Sequence, residues 1–236
     1  MKCNHVPNWA KGLGQAALAV CICMLLLGVT QAQIRITEVA PWGSGNSPLG
    51  SDWFELTNIG GSSVDITGWR MNDDTADFAS GAPLVGVTSL AAGESAIFLE
   101  DGDAGFKNLW FGAPNVPASL QIGTYSMSGV GLSSNGDAVS IFESRGAQQA
   151  IVTFGASPTG PYPTFDNSAG LDNVLLTQLS AVGVNGAFAA ANDNQEIGSP
   201  GSVPEPTALA LLTLGAVVLG CVRRRCDSPF RRFGSL

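Results

Sequence analysis

The middle of the chain, residues 33–203, contains neither histidine nor cysteine. The only histidine is His5, and the five cysteines lie near the two ends, at positions 3, 21, 23, 221 and 226. A Ser-His-Asp triad, a cysteine nucleophile, a disulfide and a zinc site with histidine or cysteine ligands all require these side chains. The types of residue present therefore leave carboxylates as the main candidates for chemistry.

Two carboxylate pairs have the composition needed for glycoside hydrolysis, Asp52 with Glu55 and Asp73 with Asp77. However, residues 33–203 carry seventeen acidic and only four basic residues, a net charge of −13. Pairs of acidic residues are therefore expected by chance. Sugar-binding grooves are usually lined by aromatic side chains, and the whole chain has only two tyrosines. We expect no enzymatic activity, with a surface-anchored hydrolase as the most distant alternative.

The same acidic residues raise the question of a cation. Calcium binds six to eight oxygen ligands, which closely spaced aspartates and backbone carbonyls can supply. Two acidic segments, residues 72–77 and 100–103, contain such aspartates. Aspartate also favours ordinary turns, and neither of these segments matches an EF-hand loop. We expect no cofactor, and calcium is the alternative. Its candidate ligands are Asp73, Asp74, Asp77, Asp101 and Asp103. Because an acidic domain repels phosphate backbones, we expect no nucleic-acid partner.

Short segments of β-forming residues, separated by turn residues, run through the middle of the chain. No stretch there has an apolar stripe of helical period over three turns. About seven short strands predict an all-β, antiparallel sandwich with long loops at 43–51, 72–83 and 155–170. The predicted strands cover residues 34–39, 53–57, 64–66, 96–99, 138–142, 150–154 and 174–176.

The N-terminal segment has the pattern of an export signal. Lys2 and Lys11 precede an apolar run at 16–29, and Thr30-Gln31-Ala32 follows it. A run of about 14 residues is short of the roughly 20 that span a bilayer. We therefore predict a signal peptide at residues 1–32, cleaved between Ala32 and Gln33.

The C-terminal segment has three features in a fixed order. Pro204, Glu205 and Pro206 precede an apolar run at 207–222, and three arginines follow that run. The prolines favour an extended backbone before the run, and the positive-inside rule keeps the arginines cytoplasmic. We predict a single transmembrane helix at 207–222 and a basic cytoplasmic tail at 226–236. The arginines are Arg223, Arg224 and Arg225.

This order of features, over residues 203–225, resembles the PEP-CTERM sorting signal of Gram-negative bacteria. The resemblance implies recognition by an exosortase-like processing enzyme, transient residence in the inner membrane, and delivery to the cell surface or extracellular matrix. The chain departs from the family in one respect, because it continues for eleven residues beyond Arg225.

Three motifs near the start of the domain predicted at 33–202 resemble the lamin-tail domain, whose fold is an immunoglobulin-like β-sandwich. They are Ile36-Thr37-Glu38-Val39, Asp52-Trp53-Phe54-Glu55-Leu56-Thr57-Asn58 and Val64-Asp65-Ile66-Thr67-Gly68-Trp69. Gly198-Ser199-Pro200-Gly201 resembles the closing turn of the family.

We expect structural roles for the residues of these motifs. The rings of Trp53 and Trp69 should pack in or near the core, and Gly68 should adopt a conformation that a side chain would hinder. Glu55 alternates with apolar neighbours, so it should face solvent or bond a turn. The structural motif residues are Glu38, Trp53, Glu55, Leu56, Asn58, Gly68 and Trp69.

The sequence thus predicts an exported, non-enzymatic surface or matrix protein that acts as a structural or interaction module. The alternative is an adhesion module that binds calcium or a glycan through its long loops. An extracellular polysaccharide is then the expected binding partner.

Overall fold

The computed structural model describes residues 34–42, 51–100, 105–112, 115–167 and 174–202. The predicted signal peptide, with Ala32 and Gln33, and the sorting residues Pro204, Glu205, Pro206 and Arg223–Arg225 lie outside the described residues. So do the predicted helix at 207–222, the tail at 226–236 and the calcium candidates Asp101 and Asp103. Within the described ranges, no helix is both long and apolar enough to span a membrane.

The described residues form fifteen strands and one short helix, α1 (Phe106–Phe111). The strands are β1 (Ile34–Ala40), β2 (Trp53–Asn58), β3 (Val64–Asp65), β4 (Arg70–Asn72), β5 (Ala82–Pro83), β6 (Ser89–Leu90), β7 (Ser95–Leu99), β8 (Gln121–Thr124), β9 (Asp137–Phe142), β10 (Gln148–Phe154), β11 (Tyr162–Pro163), β12 (Phe165–Asp166), β13 (Val174–Leu176), β14 (Phe188–Ala190) and β15 (Asp193–Gly198).

Two five-stranded sheets make up the sandwich, which confirms the predicted immunoglobulin-like β-fold. The first has the order β12-β1-β2-β7-β8 and the second β13-β10-β9-β4-β5. Two small sheets accompany them, β11-β15-β14 and β3-β6. Most pairs are antiparallel, but β7 with β8, β10 with β13 and β11 with β15 run parallel. Each of the seven predicted strands coincides with a strand of the structure.

The main core lies between the two sheets. Phe54 and Leu56 of β2 and Phe98 of β7 point into it from the first sheet, and Val139 and Ile141 of β9 contribute from the second. Alternate residues of a strand point to opposite faces, so β2 and β7 send every second side chain into this core. Burial of such side chains contributes about 1.5–3 kcal/mol each.

The other face of the first sheet is also covered. Trp53 of β2 and Ile97 and Leu99 of β7 alternate with the main-core residues and pack against Phe106 and Trp110 of α1. Trp53 meets both of these rings edge-on, with ring centroids 5.5 and 5.6 Å apart. The first sheet is therefore buried on both faces. The second sheet packs on one face, and α1 packs on the other.

The C-terminal part of the domain is built into the same sheets. β12 pairs with β1, and β13 pairs with β10. The last strand, β15, leads into the closing turn, residues 198–201. This turn donates hydrogen bonds to side chains of β1 and β2. Residues 162–201 thus complete a fold whose opening strands lie more than a hundred positions earlier.

Candidate functional site

Glu38 of β1 and Glu55 of β2 form a buried carboxyl pair on the α1-covered face of the first sheet. They are opposite one another in the strand register, and each side chain is about 1 % exposed. A β-bulge between Ile36 and Glu38 shifts the register of β1 by one residue at this point. The bulge allows Val39 as well as Ile36 to reach the main core, while Glu38 points to the opposite face.

A third acidic residue extends the pair across the sheet. Asp166 of β12 is opposite Glu38 on the other side of β1 and is also buried. Three acidic side chains therefore stand in one row over three neighbouring strands. Like charges at directly opposed positions of a sheet destabilise it, so the row needs hydrogen-bond donors or protons to persist. Asp166 accepts bonds from the side-chain amides of Gln178 and Asn185, at 3.1 and 2.9 Å.

Hydroxyl groups surround both glutamates. Thr37 donates to Glu55 Oε1 at 2.6 Å, and Thr164 donates to Glu38 Oε1 at 2.5 Å. The hydroxyl of Thr57 lies 2.8 Å from the Thr37 hydroxyl and 2.7 Å from the Ser95 hydroxyl. Because Ser95 belongs to β7, the network extends to that strand. Buried polar groups without such partners would cost about 1–3 kcal/mol each.

The closing turn supplies the remaining donors. The backbone N–H of Ser199 donates to Glu38 Oε1 at 2.7 Å, and the Ser199 hydroxyl donates to Oε2 at 3.2 Å. The backbone N–H of Gly201 donates to Glu55 Oε2 at 2.6 Å. The carboxyl pair therefore joins the first two strands of the domain to its last four residues.

Burial raises the pKa of both glutamates. The pKa of Glu38 rises to about 8, first because the carboxyl is removed from water and then because the charge of Glu55 is close by. The pKa of Glu55 rises to about 7, also through burial, although its bonds from Thr37 and Gly201 act in the opposite direction. At neutral pH the pair therefore retains at least one proton.

Other motif residues have structural surroundings. Asn58 donates through Nδ2 to the carbonyls of Ser62 and Leu90, at 2.8 and 2.9 Å, and so joins the turn after β2 to β6. Gly68 has a φ of +75°, and Trp69 after it is part of the main core. Glu55 bonds a turn, one of its two predicted positions, and does not face solvent because α1 and the closing turn cover that face.

Two of the calcium candidates within the described ranges, Asp73 and Asp77, bond their own loop. Asp73 Oδ1 accepts from the N–H of Thr75 at 3.1 Å. Asp77 accepts from the N–H of Ala79 at 3.1 Å and from the Ser80 hydroxyl at 3.0 Å. Asp74 is exposed. Nowhere in the part of the chain that the structure describes do three or more His, Cys, Asp or Glu side chains converge as metal ligands would.

Of the two carboxylate pairs considered for hydrolysis, Asp52 with Glu55 is enclosed, whereas Asp77 of the second pair is exposed. Asp52 and Glu55 are both about 1 % exposed, so a polysaccharide cannot reach them in this conformation. The exposed cleft that contains Trp69 has a volume of about 360 Å³ and is lined by polar side chains such as Asp65 and Arg145. Trp69 itself is only 6 % exposed and offers little ring surface for sugar stacking.

Comparison with known families agrees with these features. A family model described as Lamin Tail Domain matches residues 29–156, more than half of the chain. A second, the PEP-CTERM protein-sorting motif, matches residues 202–225. A search of curated proteins finds no match to this chain. The chain belongs to the lamin tail domain family, and the resemblances to this family and to the sorting motif are confirmed. The closing turn at 198–201 lies outside the residues that the family model matches.

The sorting motif defines the route of the protein. It indicates export, a membrane-associated precursor and sorting to the cell surface by an exosortase-type processing enzyme. The matched segment begins at Ser202, directly after the closing turn. Gly201, the last residue of the chain that donates a hydrogen bond to the carboxyl pair, directly precedes the sorting segment. This link was missed in the sequence because the bonded residues are up to 161 positions apart.

Proposed function

We propose that this protein is a non-enzymatic structural or interaction module of the bacterial cell surface, with an exosortase-type enzyme as its processing partner. The observation that carries the proposal is the pairing of a lamin tail domain with a sorting motif, which begins four residues after the last strand of the fold. An all-β domain of this kind presents loops on a rigid scaffold, which suits display and binding.

The state of the acidic side chains supports a role without catalysis. Glu55 is enclosed by the closing turn, and the oxygens of Asp77 are bonded within their own loop. A glycoside hydrolase that uses a carboxyl pair needs both groups to reach the substrate. Residence in the extracellular matrix is part of the proposal.

Delivery of two variants tests the sorting step. In cells that contain the processing enzyme, Glu205→Ala and a deletion of residues 207–225 should each reduce surface labelling of the protein, because both alter the matched motif. Circular dichroism of the purified variants should still give the β-sheet spectrum of the domain. Glu143→Ala removes the same charge from a turn outside the motif and serves as the matched control. Normal delivery of both motif variants would refute the assignment.

Assays for hydrolysis of polysaccharides, nucleic acids and esters test the non-enzymatic role. We expect no turnover above that of buffer. Turnover that disappears in Asp73→Ala would instead establish a surface-anchored hydrolase. Binding of the purified protein to a glycan array, with and without calcium, separates a structural module from a glycan-binding adhesion module.

A further inference from the structure

We propose that the loop at residues 181–187 rests on the phospholipid surface of the membrane while the sorting segment is still attached to the domain. The proposal rests on the proposed function, because the membrane-associated precursor brings the domain next to lipid. The contact holds the domain against the membrane surface until the sorting segment is removed.

Exposed apolar side chains are concentrated in one segment of the domain. Seven large apolar side chains are exposed in the described ranges, and four of them lie between positions 175 and 184. Single exposed apolar residues are normal on a protein surface, but several in one short segment favour a contact site. Val182 and Val184 of the loop are 62 % and 45 % exposed. The four side chains are Leu175, Leu179, Val182 and Val184.

The same stretch of chain carries no charge. Residues 174–192 contain no Asp, Glu, Lys or Arg, although residues 33–203 carry seventeen acidic and four basic residues. Charged side chains lose hydration at the boundary with lipid, and anionic headgroups also repel acidic ones. Asp166, which accepts a hydrogen bond from Asn185 of the loop, is itself buried. The loop can therefore contact lipid although the domain as a whole is acidic.

The loop lies where the chain leaves the folded domain. A Cβ atom at Gly186 would lie 3.0 Å from Ser202 Oγ, so the loop packs on the first residue of the matched sorting motif. Two backbone bonds shape the loop, from the N–H of Val184 to the carbonyl of Ala181 and from the N–H of Ala187 to the carbonyl of Val184. The exposed valines thus belong to a hydrogen-bonded loop beside the start of the sorting segment.

The connection from Ser202 to the apolar run is short. Only residues 203–206 lie between Ser202 and Thr207. An extended chain spans about 3.3–3.6 Å per residue, so these five steps cover at most roughly 18 Å. Headgroups occupy roughly 5–7 Å on each side of the hydrocarbon core, which brings the loop within reach of them.

The tether also decides how strong the contact has to be. A short linker raises the local concentration of a tethered group to about the millimolar range, so a weak contact between the loop and lipid is sufficient. Without the tether, two valines bury too little apolar surface to hold the domain on a membrane. The contact should therefore end when processing removes the sorting segment.

Photolabelling from the lipid tests the contact. The exported chain, which is expected to begin at Gln33, is recovered from membranes of cells that lack the processing enzyme. It is reconstituted into vesicles of phosphatidylethanolamine and phosphatidylglycerol that contain a phospholipid with a diazirine group close to the glycerol. Vesicles are isolated by flotation, and labelled peptides are mapped by mass spectrometry.

The peptide that contains Val85 provides the comparison. Its side chain is 55 % exposed, and it pairs with Thr124, at the end of β8 away from Leu120. A Cβ atom at Gly201 would lie 3.0 Å from Leu120, so Val85 is further from the start of the sorting segment. We expect roughly threefold or more label on residues 181–187 than on the Val85 peptide, because the tether brings the loop to the lipid.

Two variants separate apolar contact from mere proximity. Val182→Ser/Val184→Ser keeps the backbone bonds of the loop and should lower its labelling to that of the Val85 peptide. Val85→Ser is the matched control and should leave labelling of the loop as in the wild-type chain. Unchanged labelling of the double variant would overturn the proposal.

The wild-type chain alone also decides the matter. A chain that floats with the vesicles and labels both peptides equally would overturn the contact and leave the sorting function intact. A chain that does not float with the vesicles would overturn both, because there would then be no membrane-associated precursor.

Discussion

Glu38 accepts a hydrogen bond from the backbone N–H of Ser199, 161 residues further along the chain. The distance between Glu38 Oε1 and the Ser199 nitrogen is 2.7 Å. This contact joins the first strand of the domain to its last turn. It also places a buried carboxyl group where the folded domain ends and the sorting motif begins. The stability of the domain should therefore respond to the protonation of that carboxyl group and to the space around it.

The first prediction concerns pH. The folded-state pKa values of Glu38 and Glu55, about 8 and about 7, lie above the usual value of 4.5. Groups with raised pKa values contribute stability that is fully present below about pH 4.5 and is lost as pH rises through 7 and 8. We therefore expect the melting temperature of the full chain to fall between about pH 5 and about pH 9.

Thermal unfolding followed by circular dichroism measures this effect. Other acidic groups on the surface also respond to pH, so the informative quantity is the difference between variants. Glu38→Gln should reduce the fall in melting temperature, because only Glu55 would then titrate in this range. Asp65→Asn should leave the fall as in the wild-type chain. A Glu38→Gln variant with the same pH profile as the wild type would show that the pair does not titrate in this range.

The second prediction concerns the space at the closing turn. Gly198→Ala should destabilise the domain by about 1–3 kcal/mol, because its Cβ would overlap Glu38 Oε1 and the ring of Trp110. Denaturant unfolding of the full chain measures the change in free energy. Gly155→Ala is the matched control, since a Cβ there meets no atom within 4 Å, and it should stay within about 0.5 kcal/mol of wild type. Equal effects of the two substitutions would contradict the close packing.

The third prediction concerns calcium. Asp73 and Asp77 accept hydrogen bonds from their own loop, and no cluster of three metal-ligating side chains occurs within the described ranges. We expect the melting temperature to be the same in millimolar calcium and in a chelator, because a ligand that does not bind the native state cannot stabilise it. A rise in melting temperature with calcium that disappears in Asp73→Asn would instead establish the calcium-binding alternative.

Sequence patterns were sufficient to predict the β-sandwich, but they did not predict that α1 and the closing turn pack on the other face of its first sheet. Alternation in β2 correctly put Phe54 and Leu56 on one face and Glu55 on the other. Alternation could not show that α1 and the closing turn bury that other face, because these elements lie more than fifty residues away. The six residues of α1 are too few to show a helical period, and strands of two residues carry no alternation. The site depends on such distant contacts.

Mass spectrometry of the protein recovered from the surface of the cells that produce it tests the central claim most directly. Export and sorting predict an N-terminus at Gln33 and a C-terminus near Pro204–Pro206, without the apolar run at 207–222. Recovery of the full-length chain from the cytosol, with residues 1–32 still attached, would contradict the account.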